Sequence, residues 1–206
     1  ENLGCQYDII PIEKIYDQFI GTLENEFRGL PFNVTEENIQ ARIRGTLLMS
    51  YSNKFGNILL NTTNKSEMAV GYGTLYGDLC GGLSVIGDVY KTDVFKLARY
   101  MNRNGEVIPE NSITKPPSAE LRPDQKDSDS LPEYDILDQI LFNYIEQRMG
   151  PDEIIAAGFD PAIVHRALTL VNRNEFKRYQ TAPVLRVSPK AFGVGRRMPI
   201  VGRYLS

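Results

Sequence analysis

The feature that most constrains the fold is the alternation of short apolar segments with longer segments of helical periodicity. Residues 7–12, "YDIIPI", have the composition of a buried strand, and residues 13–27 follow with apolar side chains at intervals of four. A second apolar run, residues 58–60, precedes a helix that begins near Lys65. Strands that alternate with helices are typical of parallel sheets. The sequence therefore predicts an α/β fold with a doubly wound, mostly parallel sheet.

Capping residues and apolar spacing place the helices. Thr35 is a plausible N-cap, because acidic residues in the following turn favour a helix N-terminus. The helix is expected to run to about Lys54 and to bury one face, with Ile39, Ile43, Leu47 and Tyr51 pointing inward. Residues 83–89, "LSVIGDV", fit either a strand or a buried loop. Further helices are predicted over residues 92–102, 133–149, 152–158, 161–171 and 174–180, which makes the C-terminal region α-helical.

Residues 108–132 differ from the rest of the chain. They are rich in Pro, Ser and acidic residues and have no periodicity. Segments of this length without a pattern serve as lids or binding loops, or are disordered. We expect a mobile loop here.

Composition excludes several classes of protein. Apolar residues make up 42% of the chain and charged residues 24%, as in ordinary globular proteins. Cys5 and Cys80 lie far apart without metal-type spacing, which argues against a disulfide scaffold or a zinc site. One His, His165, excludes sites that need several. No apolar run is long enough to span a bilayer. The cysteine usage makes a reducing, cytoplasmic setting the default expectation.

Charge is distributed unevenly along the chain. Acidic residues predominate over residues 106–138, and Lys and Arg predominate from residue 160 onward, including a basic tail at residues 182–206. Such a tail can serve nucleic acid, a phosphate-bearing ligand or an acidic protein surface. Nucleic acid is the least favoured of the three, because aromatic residues are not regularly interleaved with the basic ones.

The segment "NTTNKSE" suggests a ligand site at the carboxyl end of a strand. Parallel α/β sheets bind ligands at this edge, and the N–H groups of the following helix suit a phosphate. Thr62 offers a hydroxyl group and Glu67 can bind a hard cation such as Mg²⁺. The spacing of Asn64 and Glu67 equally fits a capping box with no ligand.

Three further groups of residues fit either a ligand site or an ordinary surface. Asn38 and Arg42, one helical turn apart, can bind a carboxylate or phosphate, or form a solvated helix face. Lys91, at the start of a helix, can reach a phosphate or lie on the surface. The stiff strip "KPP" at residues 115–117 can present Ser118 from a lid, or act as a linker.

Five strings occur together and in order: "ENIQARIRG", "TTNKSEMAVGYGTLYGD", "YKTDVFKLAR", "KPPSAELRPDQKDSDSLPEYDILD" and "RNEFKRYQ". This joint pattern resembles the NAD synthetases, most closely the synthetase portion of the glutamine-dependent, two-domain form. The resemblance implies an adenine nucleotide alpha hydrolase-like fold of the ATP pyrophosphatase type. It also implies a reaction in which deamido-NAD, ATP and ammonia yield NAD, AMP and pyrophosphate through an acyl-adenylate.

The resemblance assigns roles to individual residues. ATP would bind at Thr62, Lys91 and Ser118, and deamido-NAD at Asn38, Arg42, Glu67, Asp78 and Lys177. Glu67 is also a candidate Mg²⁺ ligand, and Ser118 stands where the short form of the family has Thr. Catalysis would rest on positioning and charge neutralisation, and no residue is singled out as a nucleophile.

Departures from the family pattern limit the expectation. The chain lacks the "SGG-x-DS" pyrophosphate loop and the glutaminase domain that would supply ammonia from glutamine. We therefore expect residues 1–206 to be the C-terminal piece of a synthetase domain, inactive alone and able to self-associate as a dimer or higher oligomer. Two alternatives stay open: a non-catalytic binding or assembly module, and another ATP-pyrophosphatase amidotransferase.

Overall fold

The computed structural model describes residues 2–193 and 195–202. Helices make up most of its regular structure, and the strands are short and parallel. The helices are α1 (Glu13–Leu23), α2 (Val34–Phe55), α3 (Lys65–Val70), α4 (Lys91–Met101), α5 (Glu110–Thr114), α6 (Tyr134–Ile145), α7 (Pro151–Ala156), α8 (Pro161–Arg173) and α9 (Glu175–Arg178), and the strands are β1 (Leu60–Asn61) and β2 (Leu83–Ser84).

The sheet is parallel, as predicted, but small. Within the described residues it consists of β1 and β2, with Leu60 opposite Leu83, and Ser84 also forms a parallel bridge with Val184. Residues 83–89, which fitted either a strand or a buried loop, therefore contain a strand. Helices resume after residue 133, which confirms the α-helical C-terminal region.

The prediction of a strand at residues 7–12 is wrong. A strand needs a neighbouring strand to accept its ladder hydrogen bonds, and within residues 2–193 and 195–202 this segment pairs with none. Its apolar side chains consequently lie in solvent, with Ile9 84% exposed. Helix α1 follows where expected, but its stripe is also poorly covered, since Phe19 is 50% exposed.

Helix α2 begins two residues earlier than the Thr35 cap predicted from sequence. Asn33 is the N-cap: its side-chain oxygen accepts from the N–H of Thr35 at 2.8 Å, and Glu36 accepts from the N–H of Asn33 at 2.8 Å. Asn is a stronger N-cap residue than Thr, so the helix begins after Asn33 and includes Thr35 in its first turn. The helix ends as expected at Gly56, in the left-handed conformation with φ of 69°.

The main core lies between α3 and the C-terminal helices. Leu137, Ile140, Val164 and Leu168 are fully buried there, and Met68 of α3 packs into the same cluster. The core therefore fixes the position of α3, the helix that follows β1. None of the helices in the described part is long and apolar enough to cross a membrane.

Helix α2 packs backbone to backbone on the loop of residues 71–79. A Cβ atom added to Gly45 would lie 2.9 Å from the carbonyl oxygen of Gly77, closer than side chains tolerate. A Cβ atom added to Gly21, in α1, would lie in open space, with none of the described neighbouring atoms within 4 Å. The two glycines thus form a matched pair, one packed and one free.

Substitution of this pair by Ala should have opposite effects. Gly45→Ala is expected to destabilise the chain by about 1–3 kcal/mol, because the backbone of the loop must shift. Gly21→Ala should stabilise it by up to about 1 kcal/mol, since Ala is the better helix former. Urea unfolding of both variants measures the difference, and equal effects would contradict the packing described.

Candidate functional site

A cavity of about 330 Å³ opens at the carboxyl end of β1, between α2, α3 and the start of α4. Five of the eight residues predicted for the site line it: Thr62, Glu67, Asp78, Lys91 and Ser118. They come from four separate parts of the sequence. The structure therefore brings these candidates to one place, at the edge of the sheet where ligands bind in α/β folds.

Glu67 forms the capping box that the sequence allowed, and its side chain also lines the cavity. It completes a capping box with Asn64, because the two residues exchange backbone-to-side-chain hydrogen bonds of 3.0 Å each. Its other carboxylate oxygen lies 3.1 Å from Nζ of Lys91. One oxygen thus starts the helix while the other faces the cavity and a cation.

Lys91 is the first residue of α4, and buried side chains fix the backbone there. Its N–H donates to Oγ of Ser66 at 2.9 Å, and the N–H of Thr92 donates to Asp138 at 2.9 Å. Ser66 in turn donates to Asp138 at 2.5 Å. Burial raises the pKa of Asp138 above its ordinary value, although the hydrogen bonds from Ser66 and Thr92 act to lower it. The sequence analysis missed Ser66 and Asp138, because no local pattern links residues so far apart.

The Lys91 ammonium lies over aromatic rings as well as beside Glu67. Its Nζ is 5.5 Å from the centre of the Tyr134 ring and 5.8 Å from that of Phe95. Both distances allow a cation–π attraction. The ammonium therefore rests at the cavity wall in a defined position.

The other three predicted residues lie around the loop of residues 71–79. Asn38 accepts from the hydroxyl of Thr74 at 2.6 Å, and the N–H of Thr74 donates to Asp78 at 2.8 Å. Arg42 donates to the carbonyl of Leu75 at 3.3 Å. Asn38 is thus connected to the cavity through Thr74 and Asp78, Arg42 contacts the same loop at Leu75, and neither residue lines the cavity.

Lys177 reaches the same loop from α9. Its Nζ donates to the carbonyl oxygens of Gly71 and Gly73 at 2.7 and 2.9 Å. Burial lowers the pKa of Lys177, and the Asp78 carboxylate opposes this shift. Gly71 has a left-handed φ of 71°, and its lack of a side chain lets Asn174, between α8 and α9, approach this turn closely.

A covering segment, residues 115–131, closes one side of the cavity through Ser118, Ala119 and Leu121. It belongs to the region predicted as a loop, which also contains α5 and a short 3₁₀ turn at Asp127–Asp129. The amide of Gln40 in α2 donates to the carbonyl of Leu121 at 3.1 Å. The expectation that this region is mobile stays a prediction.

The cavity residues that sequence reasoning missed include Arg44, Tyr72 and Asp127. With them, the cavity contains three carboxylates, of Glu67, Asp78 and Asp127, and two cations. No group of three or more His, Cys, Asp or Glu within the described residues could bind a metal ion on its own. A metal here would need oxygen atoms from a bound ligand.

A second polar cluster, behind α3, fixes the C-terminal tail. Lys65 is fully buried, and its Nζ lies 2.9 Å from Asp88 and 2.7 Å from Glu146. It also donates to Ser188 at 2.8 Å. Burial raises the pKa of Asp88, but the Lys65 ammonium and hydrogen bonds from Val187 and Ser188 outweigh burial and leave it below its ordinary value. Of the predicted basic tail, residues 194 and 203–206 lie outside the described residues.

Comparisons with known proteins agree on one family. A family model described as NAD synthase matches residues 1–181. The glutamine-dependent NAD(+) synthetase of Acinetobacter baylyi is 57% identical over 201 residues, which cover 97% of this chain and 37% of that protein. The chain therefore spans well under half the length of this curated relative.

Two solved structures are similar as well. The glutamine-dependent NAD(+) synthetase of Cytophaga hutchinsonii matches 97% of this chain and 34% of its own, with a TM-score of 0.75 and 25% identity. That of Acinetobacter baumannii, solved in complex with ADP, matches 92% of this chain and 34% of its own, with a TM-score of 0.50 and 50% identity. Together with the parallel strands, these similarities confirm the α/β fold class.

Proposed function

Since this chain belongs to the NAD synthase family, we propose that it is part of an ATP-dependent amide ligase that converts deamido-NAD, ATP and ammonia to NAD, AMP and pyrophosphate. The observation that carries the proposal is the cavity wall on which Thr62, Glu67, Lys91 and Ser118 meet. The named relatives are glutamine-dependent NAD(+) synthetases, and the A. baumannii protein was solved in complex with ADP, which supports the binding of an adenine nucleotide.

ATP would bind along this wall. Lys91 would turn its ammonium from Glu67 to the phosphates, a movement of one flexible side chain away from a partly buried ion pair. The hydroxyl groups of Thr62 and Ser118 would donate to phosphate or ribose oxygens from opposite sides. Because the start of α4 is fixed by Ser66 and Asp138, Lys91 would reach the same place in every binding event.

The charges of the cavity fit a Mg²⁺ ion carried by the nucleotide. Three carboxylates against Arg44 and Lys91 leave an excess of negative charge that would repel a bare triphosphate. Mg²⁺ is usually bound by one or two carboxylates together with substrate phosphates. Glu67 is the residue that would contact it. The ion would supply neutralisation of phosphate charge.

Deamido-NAD would bind against the loop of residues 71–79. Asn38, Arg42, Asp78 and Lys177 surround that loop, and all four are candidates for its contacts. Lys177, half-buried and with a lowered pKa, would approach the anionic nicotinate end. The orientation would bring the nicotinate carboxylate toward the α-phosphate of ATP.

The chemistry would proceed in two balanced steps. A carboxylate oxygen of the nicotinate attacks the α-phosphorus, and pyrophosphate leaves with the electron pair of the bond that breaks. The nitrogen of ammonia then attacks the activated carbonyl carbon, AMP leaves with its electron pair, and the new amide nitrogen loses a proton. The protein would contribute position and fixed charge, which are large terms in phosphoryl-type transfers.

The remaining parts of the proposal concern the setting of the chain. Ammonia would come from glutamine through a glutaminase domain, as the names of the relatives suggest. Self-association into a dimer or higher oligomer and a cytoplasmic location complete the proposal. The alternative is a non-catalytic binding module, and the following experiment distinguishes it from a catalytic role.

A chimeric enzyme tests the function. The matching segment of the A. baylyi relative is exchanged for this chain, which is feasible at 57% identity over 201 residues. The chimera is expected to form NAD from deamido-NAD, ATP and glutamine. The rate of the intact relative is the reference for full activity. The relative without the segment is the negative control. A folded chimera that forms no more NAD than this control would refute the proposal.

A further inference from the structure

We propose that Asp127 is a positioning residue that closes the covering segment over the cavity and thereby orients Lys91 and Ser118. The inference rests on the proposed function, because it names a residue for nucleotide binding beyond those already assigned. It is carried by the burial of Asp127 and by its contacts.

The covering segment is attached to the rest of the fold at few points. Its residues 115–126 are exposed or half-buried, whereas Asp127 and Leu131 are buried at 4% and 6% exposure. Leu131 packs in the apolar core next to α6. Asp127 is thus a polar anchor on the side that faces the cavity, where burial of a carboxylate requires compensation.

Asp127 connects three parts of the site. Its N–H donates to the carbonyl of Pro117 at 2.9 Å, next to Ser118. Its Oδ2 accepts from the hydroxyl of Tyr134 at 2.8 Å, and the ring of Tyr134 lies beneath the Lys91 ammonium. Loss of the side chain would leave the backbone bond to Pro117 in place but would release residue 127 from Tyr134, which would loosen the segment that carries Ser118 and free the ring that supports Lys91.

The second oxygen of Asp127 distinguishes this residue from a simple structural anchor. Oδ1 is buried and, among the described residues, accepts no hydrogen bond. Such atoms are rare in native proteins, and they call for an explanation such as a functional site. The side chain lines the cavity near Tyr72, whose pKa is raised by burial and by the Asp127 carboxylate. Asp127 therefore has its anchoring contact at Oδ2, through Tyr134, and an acceptor without a partner among the described residues in a side chain that lines the cavity.

Four variants separate the role of the carboxylate from that of the hydroxyl. Asp127→Ala removes both oxygens, Asp127→Asn keeps an acceptor for Tyr134, and Tyr134→Phe removes only the donor. Asp129→Asn is the matched control, because Asp129 lies in the same 3₁₀ turn and is exposed. Steady-state kinetics are measured in the chimera, and hydrogen exchange of residues 116–126 is measured on this chain.

Asp127→Ala is expected to raise the KM for ATP about tenfold, the size of one charge-assisted hydrogen bond, with a smaller change in kcat. Tyr134→Phe should act in the same direction, Asp127→Asn should restore most of the loss, and Asp129→Asn should match the unsubstituted protein. Exchange of residues 116–126 should accelerate in Asp127→Ala while α6 stays protected.

Two results would overturn the inference. One is a KM for ATP in Asp127→Ala equal to that of Asp129→Asn, and the other is unchanged exchange of residues 116–126. If the unsubstituted chimera forms no NAD, the proposed function fails, and the exchange measurement alone still decides whether Asp127 closes the segment. The two failures are therefore distinguishable.

Discussion

Lys91→Ala is expected to lower kcat/KM for NAD formation by the chimera about 10²- to 10³-fold. This is the loss typical when one fixed group that stabilises developing charge is removed from an active site. Lys91 stands at the cavity wall beside Glu67 and over the Tyr134 ring, and its ammonium is the one that would turn to the phosphates in our proposal. Removal would also leave Glu67 facing the triphosphate without a counter-charge.

Lys96→Ala is the control for this prediction. Lys96 lies in the same helix, its side chain is 73% exposed, and it pairs with Asp93 at the surface. Surface pairs of this kind contribute about 0–1 kcal/mol, so activity should be nearly unchanged. Steady-state rates at saturating and limiting ATP compare the two variants, and similar rates for both would exclude Lys91 from the proposed role.

Lys65→Met should reduce the free energy of unfolding of this chain by about 3–5 kcal/mol. Met has nearly the length of Lys but no charge, so Asp88 and Glu146 would stay buried without their counter-ion. Breaking a buried ion pair by removing one partner has an effect of about this size. Urea unfolding at neutral pH measures it. Lys54→Met, at the exposed end of α2, is the control and should change stability little.

The difference in free energy of unfolding between Lys65→Met and the unsubstituted chain should become smaller as the solution is acidified. The folded-state pKa of Asp88 lies below its ordinary value, so the pair stabilises the fold above the unfolded pKa of about 3.9. This contribution is lost as pH falls through the folded pKa. In the variant, the unpaired Asp88 carboxylate takes up a proton more readily and no longer destabilises the fold as a buried, unpaired charge. A deficit that stays constant from neutral pH to acid would show that charge is not its cause.

Much of the candidate site could be predicted from the sequence. The "NTTNKSE" segment identified the capping box and the place of Thr62 and Glu67, and the five ordered strings identified the family. Those strings also contain Lys91 and Ser118, which the fold brings to the same cavity. The binding roles of these residues stay predictions.

The residues that sequence reasoning missed share one property: their importance depends on distant partners. Asp138, in α6, accepts a hydrogen bond from the first turn of α4. Asp127, in the covering segment, accepts one from Tyr134 at the start of α6. Lys65 is the clearest case, because Lys is ordinarily exposed. Its partners lie 23 to 125 positions further along the chain and only the fold brings them together.

The sequence by itself determined most helix positions, the parallel α/β class and the family, because apolar spacing, caps and ordered motifs are local or linear properties. Tertiary structure alone decided which polar groups are buried and that residues 7–12 form no strand. These outcomes depend on what lies opposite each group in space. A strand needs a neighbour and a buried charge needs a partner, and neither requirement can be read from the residues alone.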